Sequence, residues 1–388
     1  FGTSATLAAS ALFLVTRNLG DGLRLFLAAI VLQKIAGWSF AASAVAIGAT
    51  TIFYTYMGGM RSVVWNDCIQ FVIYMLGGIA SVFLLLDAIP GGWETLMEYA
   101  DREGKLQVFA FAPPPDSTSG FWGWLVAYPY SFWAGLVGGA VLTLGTHGTD
   151  QMMVQRYLSA RSQRDAGRAI VCSALVVALQ FALFLFIGVQ LACYYSFQPD
   201  IVFAKTDEVY AHFIVHSFPR NTGLIGLMLA AILAAAMSTL SSSLNASAAA
   251  IVNDFYLPFR RAPASPRHAL RVSRGVSVLF GLLQIGIAIW ATTFSETVVA
   301  NALTIAGFSA GTLLGLFLLG VFTDWVGQSA ALIGGACGLG VLAGLQFLLP
   351  AYTSITVAWP WFALIGASVT FVVGWLVAAL LRMVNRLA

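Results

Sequence analysis

Long, uninterrupted apolar runs dominate this chain of 388 residues. About 20 predominantly apolar residues are enough for a helix to cross the hydrocarbon core of a bilayer. A transmembrane β-barrel would instead show strands that alternate apolar and polar residues, which these runs do not. The sequence therefore predicts an all-α polytopic membrane protein with about ten transmembrane helices. The ten predicted spans are residues 4–33, 39–57, 63–87, 121–146, 167–196, 222–254, 272–293, 297–322, 328–349 and 357–384.

The low charge content excludes a soluble globular domain and a disordered chain. Only 9% of the residues are charged and 59% are hydrophobic, whereas a soluble domain carries roughly 25% charged residues. Disorder is excluded too, because it requires low hydrophobicity and high charge. Two hydrophilic stretches, 88–118 and 197–220, are too short for a second domain. Residues 1–388 are therefore predicted to form a single transmembrane domain, with short helices in both stretches.

The distribution of Lys and Arg predicts the orientation in the membrane. Alternating the connections puts twelve basic residues on the side of residue 1 and five on the other side. Because cytoplasmic connections are enriched in Lys and Arg, we expect residue 1 and the C-terminus in the cytoplasm. The compact connections, and outer stretches without an N-x-S/T sequon, favour a bacterial inner membrane. The first set is Arg61, Arg156, Arg161, Arg164, Arg168, Arg260, Arg261, Arg267, Arg271, Arg274, Arg382 and Arg386, and the second is Lys34, Arg102, Lys105, Lys205 and Arg220.

No catalytic or nucleotide-binding pattern is visible. The four cysteines lack metal-ligand spacing, and the four histidines are scattered. A Walker motif and a Ser/His/Asp set are also missing, so the sequence predicts neither an enzyme nor a cofactor nor a nucleic-acid partner. Residues 1–16 lack the charged region of a signal peptide, and the chain begins with Phe1. We therefore expect the true N-terminus to lie upstream.

Three charged residues stand inside the first predicted span. Arg17, Asp21 and Arg24 are spaced i, i+4 and i+7, so they share roughly one helical face. Asp21 can bridge both arginines and leave one net positive charge. One interpretation is a site for a carboxylate or another anion, since ionisable groups at membrane depth often serve function. The other is a self-neutralised structural cluster.

Asp67 stands near the start of the third predicted span, beside the turn Gly58-Gly59-Met60-Arg61. An acid at a helix N-terminus is stabilised by the helix dipole, so capping is one interpretation. Cation binding is the other.

The sixth predicted span carries a run of hydroxyl side chains between Ala234 and Ser247. Ala235, Ser238, Thr239 and Ser242 fall on one helical face, with Ser241 on an adjoining stripe. Hydroxyls and carbonyls suit Na⁺, a hard cation that needs several oxygen ligands. Close helix packing is the alternative, because small residues and Ser or Thr are also favoured at helix contacts in membranes.

The fourth predicted span contains Pro129, followed by four glycines: Gly135, Gly138, Gly139 and Gly145. Such a span can unwind within the membrane and expose carbonyl groups, as in transporters, or it can merely kink to ease packing. His147 lies at its end and is either a packing residue or a proton carrier. A short re-entrant or interfacial helix is expected within residues 143–157.

Three motifs together resemble the sodium/solute symporter family. Residues 54–70 are similar to the family pattern GG(L/M)-x-(A/S)-V-x-W-T-D-x-x-Q, with Gly58, Gly59, Asp67 and Gln70 at its fixed positions. Residues 150–161 are similar to its NQ-x-x-x-QR stretch. Residues 235–256 are similar to its A-x-x-S-(S/T)-L…D-x-Y helix.

The resemblance implies a five-plus-five inverted-repeat core of which this chain lacks the first two helices. It implies a sodium site at Ala235, Ser238 and Thr239, and in some members a second at Asp67, Ser241 and Ser242. The positions that bind sugars in the family are Thr143, Thr146, His147, Val177 and Leu303 here.

These residues lack the polar groups that a sugar requires. A small organic anion or amino acid is expected instead, with Arg17, Asp21, Arg24, Thr143 and His147 as candidate contacts. The resemblance thus implies a sodium-coupled symporter that imports a solute by alternating access. Two alternatives remain open: a solute-sensing domain of a signalling protein, and an inactive fragment of a symporter.

Overall fold

The computed structural model describes residues 1–57, 60–115, 117, 120–203, 206–219, 223–260, 265–293, 298–353 and 355–387. This part of the chain is almost entirely helical, and its one isolated β-bridge joins Ala110 and Ser131. Its α-helices are α1 (Thr3–Ala36), α2 (Phe40–Met57), α3 (Met60–Ala88), α4 (Gly92–Arg102), α5 (Phe121–Ala127), α6 (Gly139–Gly148), α7 (Gln151–Leu158), α8 (Gln163–Ser196), α9 (Val209–Ser217), α10 (Leu224–Ala250), α11 (Pro266–Trp290), α12 (Val298–Phe322), α13 (Gln328–Ala343), α14 (Leu349–Tyr352) and α15 (Pro360–Leu387).

Eight helices in the described residues are long and apolar enough to cross a membrane, and they coincide with eight of the ten predicted spans. They are Phe40–Met57, Asp67–Ala88, Gln163–Ser196, Leu224–Tyr256, Pro266–Thr293, Ala300–Phe322, Gln328–Tyr352 and Pro360–Val384. The first predicted span forms one continuous helix, α1, of 34 residues. Its polar centre, with Arg17, Asp21 and Arg24, lowers its hydropathy and sets it apart from the eight.

The fourth predicted span is broken rather than continuous. Helix α5 ends at Ala127, and the backbone turns at Pro129 before the helix resumes through a π-helical segment, Ala134–Gly138, into α6. Proline cannot donate a backbone hydrogen bond, which explains the break at this point. Gly138 and Gly145 let the resumed helix approach its neighbours closely. An added Cβ would lie 2.4 Å from the Pro360 carbonyl oxygen at Gly138 and 2.9 Å from the Ala310 carbonyl oxygen at Gly145.

The centre of the molecule is built around α1, which packs against α2, α10, α11 and α12. Leu25, Ala29 and Leu240 belong to the buried apolar cluster that joins these helices. Helix α3 packs along α10. The two hydrophilic stretches contain the predicted short helices, α4 and α9.

Some residues used in the sequence analysis lie outside the described part of the chain. These are Gly58, Gly59, Lys205, Arg220 and Arg261, together with the side chains of Arg61 and Arg386.

Candidate sodium and solute sites

Two cavities meet at helix α10. The α1–α12 cavity has a volume of about 330 Å³ and is bounded by α1, α6, α7, α10 and α12. The α3–α10 cavity has a volume of about 430 Å³ and is bounded by α3, α8, α9 and α10. Thr239 lines both cavities, so the hydroxyl-rich stretch of α10 forms part of the wall between them.

The three residues of the first candidate sodium site lie together on α10. Ala235, Ser238 and Thr239 all line the α3–α10 cavity. The Thr239 hydroxyl donates to the Ala235 carbonyl oxygen at 3.4 Å, a long and weak hydrogen bond. One carbonyl and two hydroxyl oxygens therefore line one wall. Na⁺ binds several oxygens, so this set supplies part of a coordination shell and further ligands must complete it.

Asp67 lies inside α3, seven residues beyond its first residue. The capping interpretation is therefore wrong, because an acid this far along a helix is out of reach of the free N–H groups of the first turn. Instead Asp67 faces α10 and α7. Its Oδ1 accepts a hydrogen bond from the Ser238 hydroxyl, and its Oδ2 lies 2.8 Å from Nη2 of Arg156.

Arg156 is one residue of this site to which the sequence analysis gave no role there. The same Nη2 atom donates to the Ser242 hydroxyl at 2.9 Å, so one guanidinium group bridges Asp67 and Ser242. Its side chain is 35% exposed, against 16% for Asp67. In the sequence, Arg156 counts among the predicted cytoplasmic charges and lies within the Gln-Arg motif, but neither observation gives it a partner.

The structure therefore connects only two of the three residues of the second candidate sodium site. Asp67 and Ser242 are joined through Arg156. Ser241 is fully buried, and its hydroxyl donates to the Ser238 carbonyl oxygen at 3.1 Å. A protein cation already neutralises the carboxylate that this set offers.

Gln70, one turn after Asp67 on α3, is a second residue that sequence reasoning left without a role. Its side chain is buried and borders the α3–α10 cavity. Among the described residues, its Oε1 has no hydrogen-bond partner. A buried, unpaired carbonyl oxygen is costly, and here it adds an acceptor to the wall that carries Asp67 and Ser238.

The charged residues of α1 form the predicted bridged cluster, with one addition. The Asp21 carboxylate is fully buried and pairs with both arginines: Oδ2 lies 2.8 Å from Nε of Arg17, and Oδ1 contacts Nη1 of Arg24. The Arg17 contact has the distance of an ion pair without the alignment of a hydrogen bond. Nη1 of Arg17 also lies 3.5 Å from Oδ2 of Asp150.

Asp150 therefore offsets the net positive charge expected from α1 alone. Asp150 also caps α7, because its Oδ1 accepts from the backbone N–H of Met152 at 2.8 Å. Arg17 is nearly buried, with 12% of its side chain exposed, whereas Arg24 is 44% exposed. Both line the α1–α12 cavity, and Arg24 has the more exposed side chain.

The two remaining candidate solute contacts differ in position. His147 lines the α1–α12 cavity, and its Nδ1 lies 3.2 Å from the Thr143 carbonyl oxygen. Thr143 is not among the residues that line this cavity. His147 is thus beside the two arginines, while Thr143 holds the histidine ring through its backbone.

The apolar helices are those of a polytopic membrane protein. The broken helix and the cavities lined by oxygen atoms and charged side chains are typical of membrane proteins that bind polar ligands. The family model of the sodium:solute symporter family matches residues 4–338. The chain belongs to the sodium:solute symporter family.

Named relatives and one solved structure agree with this assignment. Human sodium-coupled monocarboxylate transporter 1 is 29% identical over 344 residues, covering 88% of this chain and 54% of the relative. The human sodium/iodide cotransporter is 28% identical over 342 residues, covering 87% of this chain and 51% of the relative. The chain thus spans about half the length of these relatives.

The substrate-bound, outward-open structure of a Na⁺-coupled sialic acid symporter has the same fold. Its TM-score is 0.80 at 23% identity, with 98% of this chain and 75% of that chain covered. The expected family and transporter fold are confirmed.

Proposed function

We propose that residues 1–388 form a transmembrane domain of a sodium-coupled symporter that imports a small organic anion or amino acid by alternating access. The observation that carries the proposal is the position of Thr239 on the wall shared by the two cavities. A Na⁺ ion held by Ala235, Ser238 and Thr239 would lie next to a solute held in the α1–α12 cavity. Inward movement of one Na⁺ supplies about 2.3 kcal/mol per 100 mV of membrane potential, in addition to its concentration gradient.

The exposed side chain of Arg24 in the α1–α12 cavity supports an anionic solute. Arg24 and Arg17 line this cavity, and 44% of the Arg24 side chain is exposed. A guanidinium group binds a carboxylate through two parallel hydrogen bonds. Monocarboxylates and iodide, for which the two human relatives are named, are anions.

Sodium binding can be tested without knowing the solute. We expect NaCl, but not choline chloride at equal ionic strength, to raise the midpoint of thermal unfolding of the purified protein in detergent. At about 100 times the dissociation constant, a ligand of the folded state stabilises it by about 2.7 kcal/mol. The Ser238→Ala/Thr239→Ala variant should lose this shift. A wild-type protein that responds identically to both salts would refute sodium binding.

The solute class is tested by uptake into proteoliposomes. With an inward sodium gradient, we expect accumulation of a short monocarboxylate such as lactate and none of glucose. Arg24→Gln should raise the KM for the carboxylate about tenfold to hundredfold, the loss expected for one charge-assisted hydrogen bond. Arg271→Gln on α11, exposed and far in sequence from the cavity residues, is the matched control. Carboxylate uptake that neither Arg17→Gln nor Arg24→Gln alters would remove the arginines from the site.

We also propose a bacterial inner membrane, with residue 1 and the C-terminus in the cytoplasm. The orientation is supported by the excess of Lys and Arg in the connections assigned to the cytoplasmic side. The bacterial membrane is supported by the compact connections and by outer stretches without an N-x-S/T sequon. A green fluorescent protein fused after Ala388 should fluoresce in bacteria, and alkaline phosphatase at the same place should be inactive. The reverse pair of results would invert the topology.

A further inference from the structure

Three arginines share one face of the first turns of helix α11. Arg267, Arg271 and Arg274 are spaced i, i+4 and i+7, so they lie on the same side of the helix. Arg267 and Arg271 are exposed, and Arg274 is half-buried. We call these three residues the α11 arginine face. None of them lines either cavity, so the candidate sodium and solute sites do not account for them.

The positive charge of the α11 arginine face is not balanced within the described part of the chain. There, no carboxylate forms an ion pair with any of the three guanidinium groups. The first turn of α11 also holds no acidic residue. Because the N-terminus of a helix carries a partial positive charge of its own, arginines near it add to the repulsion. An anion from outside the chain would relieve this repulsion.

The same side of α11 continues as an apolar surface along the membrane-crossing helix Pro266–Thr293. Leu282 and Ile289 follow Arg271 at i+11 and i+18, which keeps them on its side of the helix. Both are exposed. Between Arg271 and Leu282, a Cβ added at Gly275 would meet no atom within 4 Å, so the surface is recessed there. Charge at the end of an apolar path matches a phospholipid, whose acyl chains run from the headgroup into the bilayer.

Tyr56, near the end of α2, orients the innermost of the three arginines. Cζ of Arg274 lies 4.8 Å from the centroid of the Tyr56 ring, which is a cation–π contact. The ring covers one face of the guanidinium group and leaves the N–H groups at its edge free to donate. Paired N–H donors of this kind bind two oxygens of a phosphate group at once.

We propose that Arg267, Arg271 and Arg274 bind the phosphate group of an anionic membrane phospholipid, with Tyr56 as a positioning residue. The acyl chains lie along Leu282 and Ile289. A free phosphate ion shares the headgroup chemistry but uses none of this apolar surface, so the site is assigned to the lipid. It requires the chain to lie in a membrane, and it does not depend on which solute the chain transports.

Lipid titration of the purified full chain, stripped of lipid in a neutral detergent, tests the proposal. Phosphatidylglycerol and phosphatidylcholine with the same oleoyl chains, and glycerol phosphate without chains, are added separately at equal concentrations. We expect phosphatidylglycerol alone to raise the midpoint of thermal unfolding and to remain bound in native mass spectrometry. Equal responses to the two lipids would overturn the choice of an anionic headgroup. A response to glycerol phosphate as large as that to phosphatidylglycerol would overturn the choice of a lipid.

Two pairs of arginines separate a binding site from the general attraction of basic residues for anionic lipid. Each arginine at an anionic membrane surface strengthens binding about fivefold. Arg267→Gln/Arg271→Gln, at two exposed positions, should therefore weaken phosphatidylglycerol binding at least about tenfold. Arg164→Gln/Arg168→Gln removes two exposed arginines from the start of α8, where Asp165 already supplies a negative charge, and should bind as the wild type does. Equal losses in the two variants would overturn the proposal.

Substitutions of Tyr56 test its positioning role. Tyr56→Phe keeps the aromatic face and should bind phosphatidylglycerol as the wild type does. Tyr56→Leu should weaken binding about twofold to fivefold, the loss expected for one exposed cation–π contact. Equal binding in the two variants would contradict the role of Tyr56. In all of these variants the KM for solute uptake should stay that of the wild type, because none of the substituted residues lines a cavity.

Discussion

Two positions on one helix, about a turn apart, offer oxygen atoms to a cation in different ways. At the first, Ala235 and Thr239 present a carbonyl and a hydroxyl to a cavity, and among the described residues no charged side chain is hydrogen-bonded to either one. At the second, Ser242 and the carboxylate of Asp67 are bridged by the guanidinium of Arg156. Ser238 stands between them, because it borders the cavity and donates to Asp67.

From this difference we expect that a carboxylate beside hydroxyls does not by itself make a sodium site when a protein cation is paired with it. Asp67 carries the charge that attracts a cation, and Arg156 supplies a cation that is covalently part of the chain. Neutral oxygens at Ala235 and Thr239 hold no permanent charge that must be paired, so a released Na⁺ leaves no buried ion behind. For coupling, which requires binding and release, the first position is therefore the better suited.

The largest expected change in the free energy of unfolding comes from removing the negative charge of Asp67 at the second position. Asp67→Asn leaves Arg156 without its ion-pair partner, and breaking a buried pair costs roughly 3–5 kcal/mol. Because Arg156 is 35% exposed, we expect a smaller loss of about 2–3 kcal/mol in the free energy of unfolding. Unfolding in detergent–SDS micelles measures it.

A control variant and a double variant test whether this loss of stability comes from the ion pair between Asp67 and Arg156. Asp87→Asn, at an exposed position of the same helix α3, should change stability little. In Asp67→Asn/Arg156→Gln, the loss should be partly recovered, which gives a coupling energy of about 0.5–3 kcal/mol. Additive losses would mean that the contact between Asp67 and Arg156 carries little energy.

The next effect in size concerns sodium at the first position. Thr239→Val keeps the shape of the side chain and removes its hydroxyl, so it should abolish up to about 2.7 kcal/mol of sodium-specific stabilisation at saturating NaCl. Stability in choline chloride should stay within about 1 kcal/mol of wild type, since the lost Thr239 hydrogen bond is long. A full sodium response in this variant would contradict the assignment of Thr239.

Much of the fold follows from the sequence because burial in a membrane leaves strong patterns. Eight predicted spans are helices of membrane-crossing length, and Pro129 marked the break in the fourth. The π-helical segment at Ala134–Gly138 was not predicted, because one extra residue in a helical turn has no distinct sequence pattern.

The contacts within the candidate sites could be predicted from the sequence only where all the residues involved lie on one helix. The spacing of Arg17, Asp21 and Arg24 on α1 gave their pairing correctly. The contacts of Asp67 with Arg156, and of Arg17 with Asp150, join residues 89 and 133 positions apart. Helix periodicity carries no information about such pairs, and neither the count of basic residues nor the Gln-Arg motif assigns Arg156 a partner.

A smaller effect should follow from removing the protein cation of the second position. In Arg156→Gln, Asp67 and Ser242 lose their bridge, and the carboxylate becomes available to Na⁺. We expect the sodium dependence of thermal unfolding to become steeper, with added stabilisation of about 1.4 kcal/mol at ten times the second dissociation constant. Arg161→Gln, at an exposed position shortly after α7, is the control. An unchanged sodium dependence would show that Asp67 does not bind Na⁺ even when it is freed.

The smallest effect distinguishes the two positions most directly. Ser242→Ala removes one hydrogen bond to Arg156 and leaves the ion pair with Asp67, so we expect a loss of about 1 kcal/mol in the free energy of unfolding. The sodium-specific shift should remain that of wild type, because Thr239 and Ala235 are untouched. Ser243→Ala, also buried but on the side of α10 that faces Gln284, is the matched control for removing a hydroxyl from this helix. If Ser242→Ala lost its sodium response while Ser243→Ala kept it, Na⁺ binding would depend on the bridge through Arg156. The two positions would then be one coupled site, in which Arg156 holds Asp67 and Ser238 in the geometry that sodium requires.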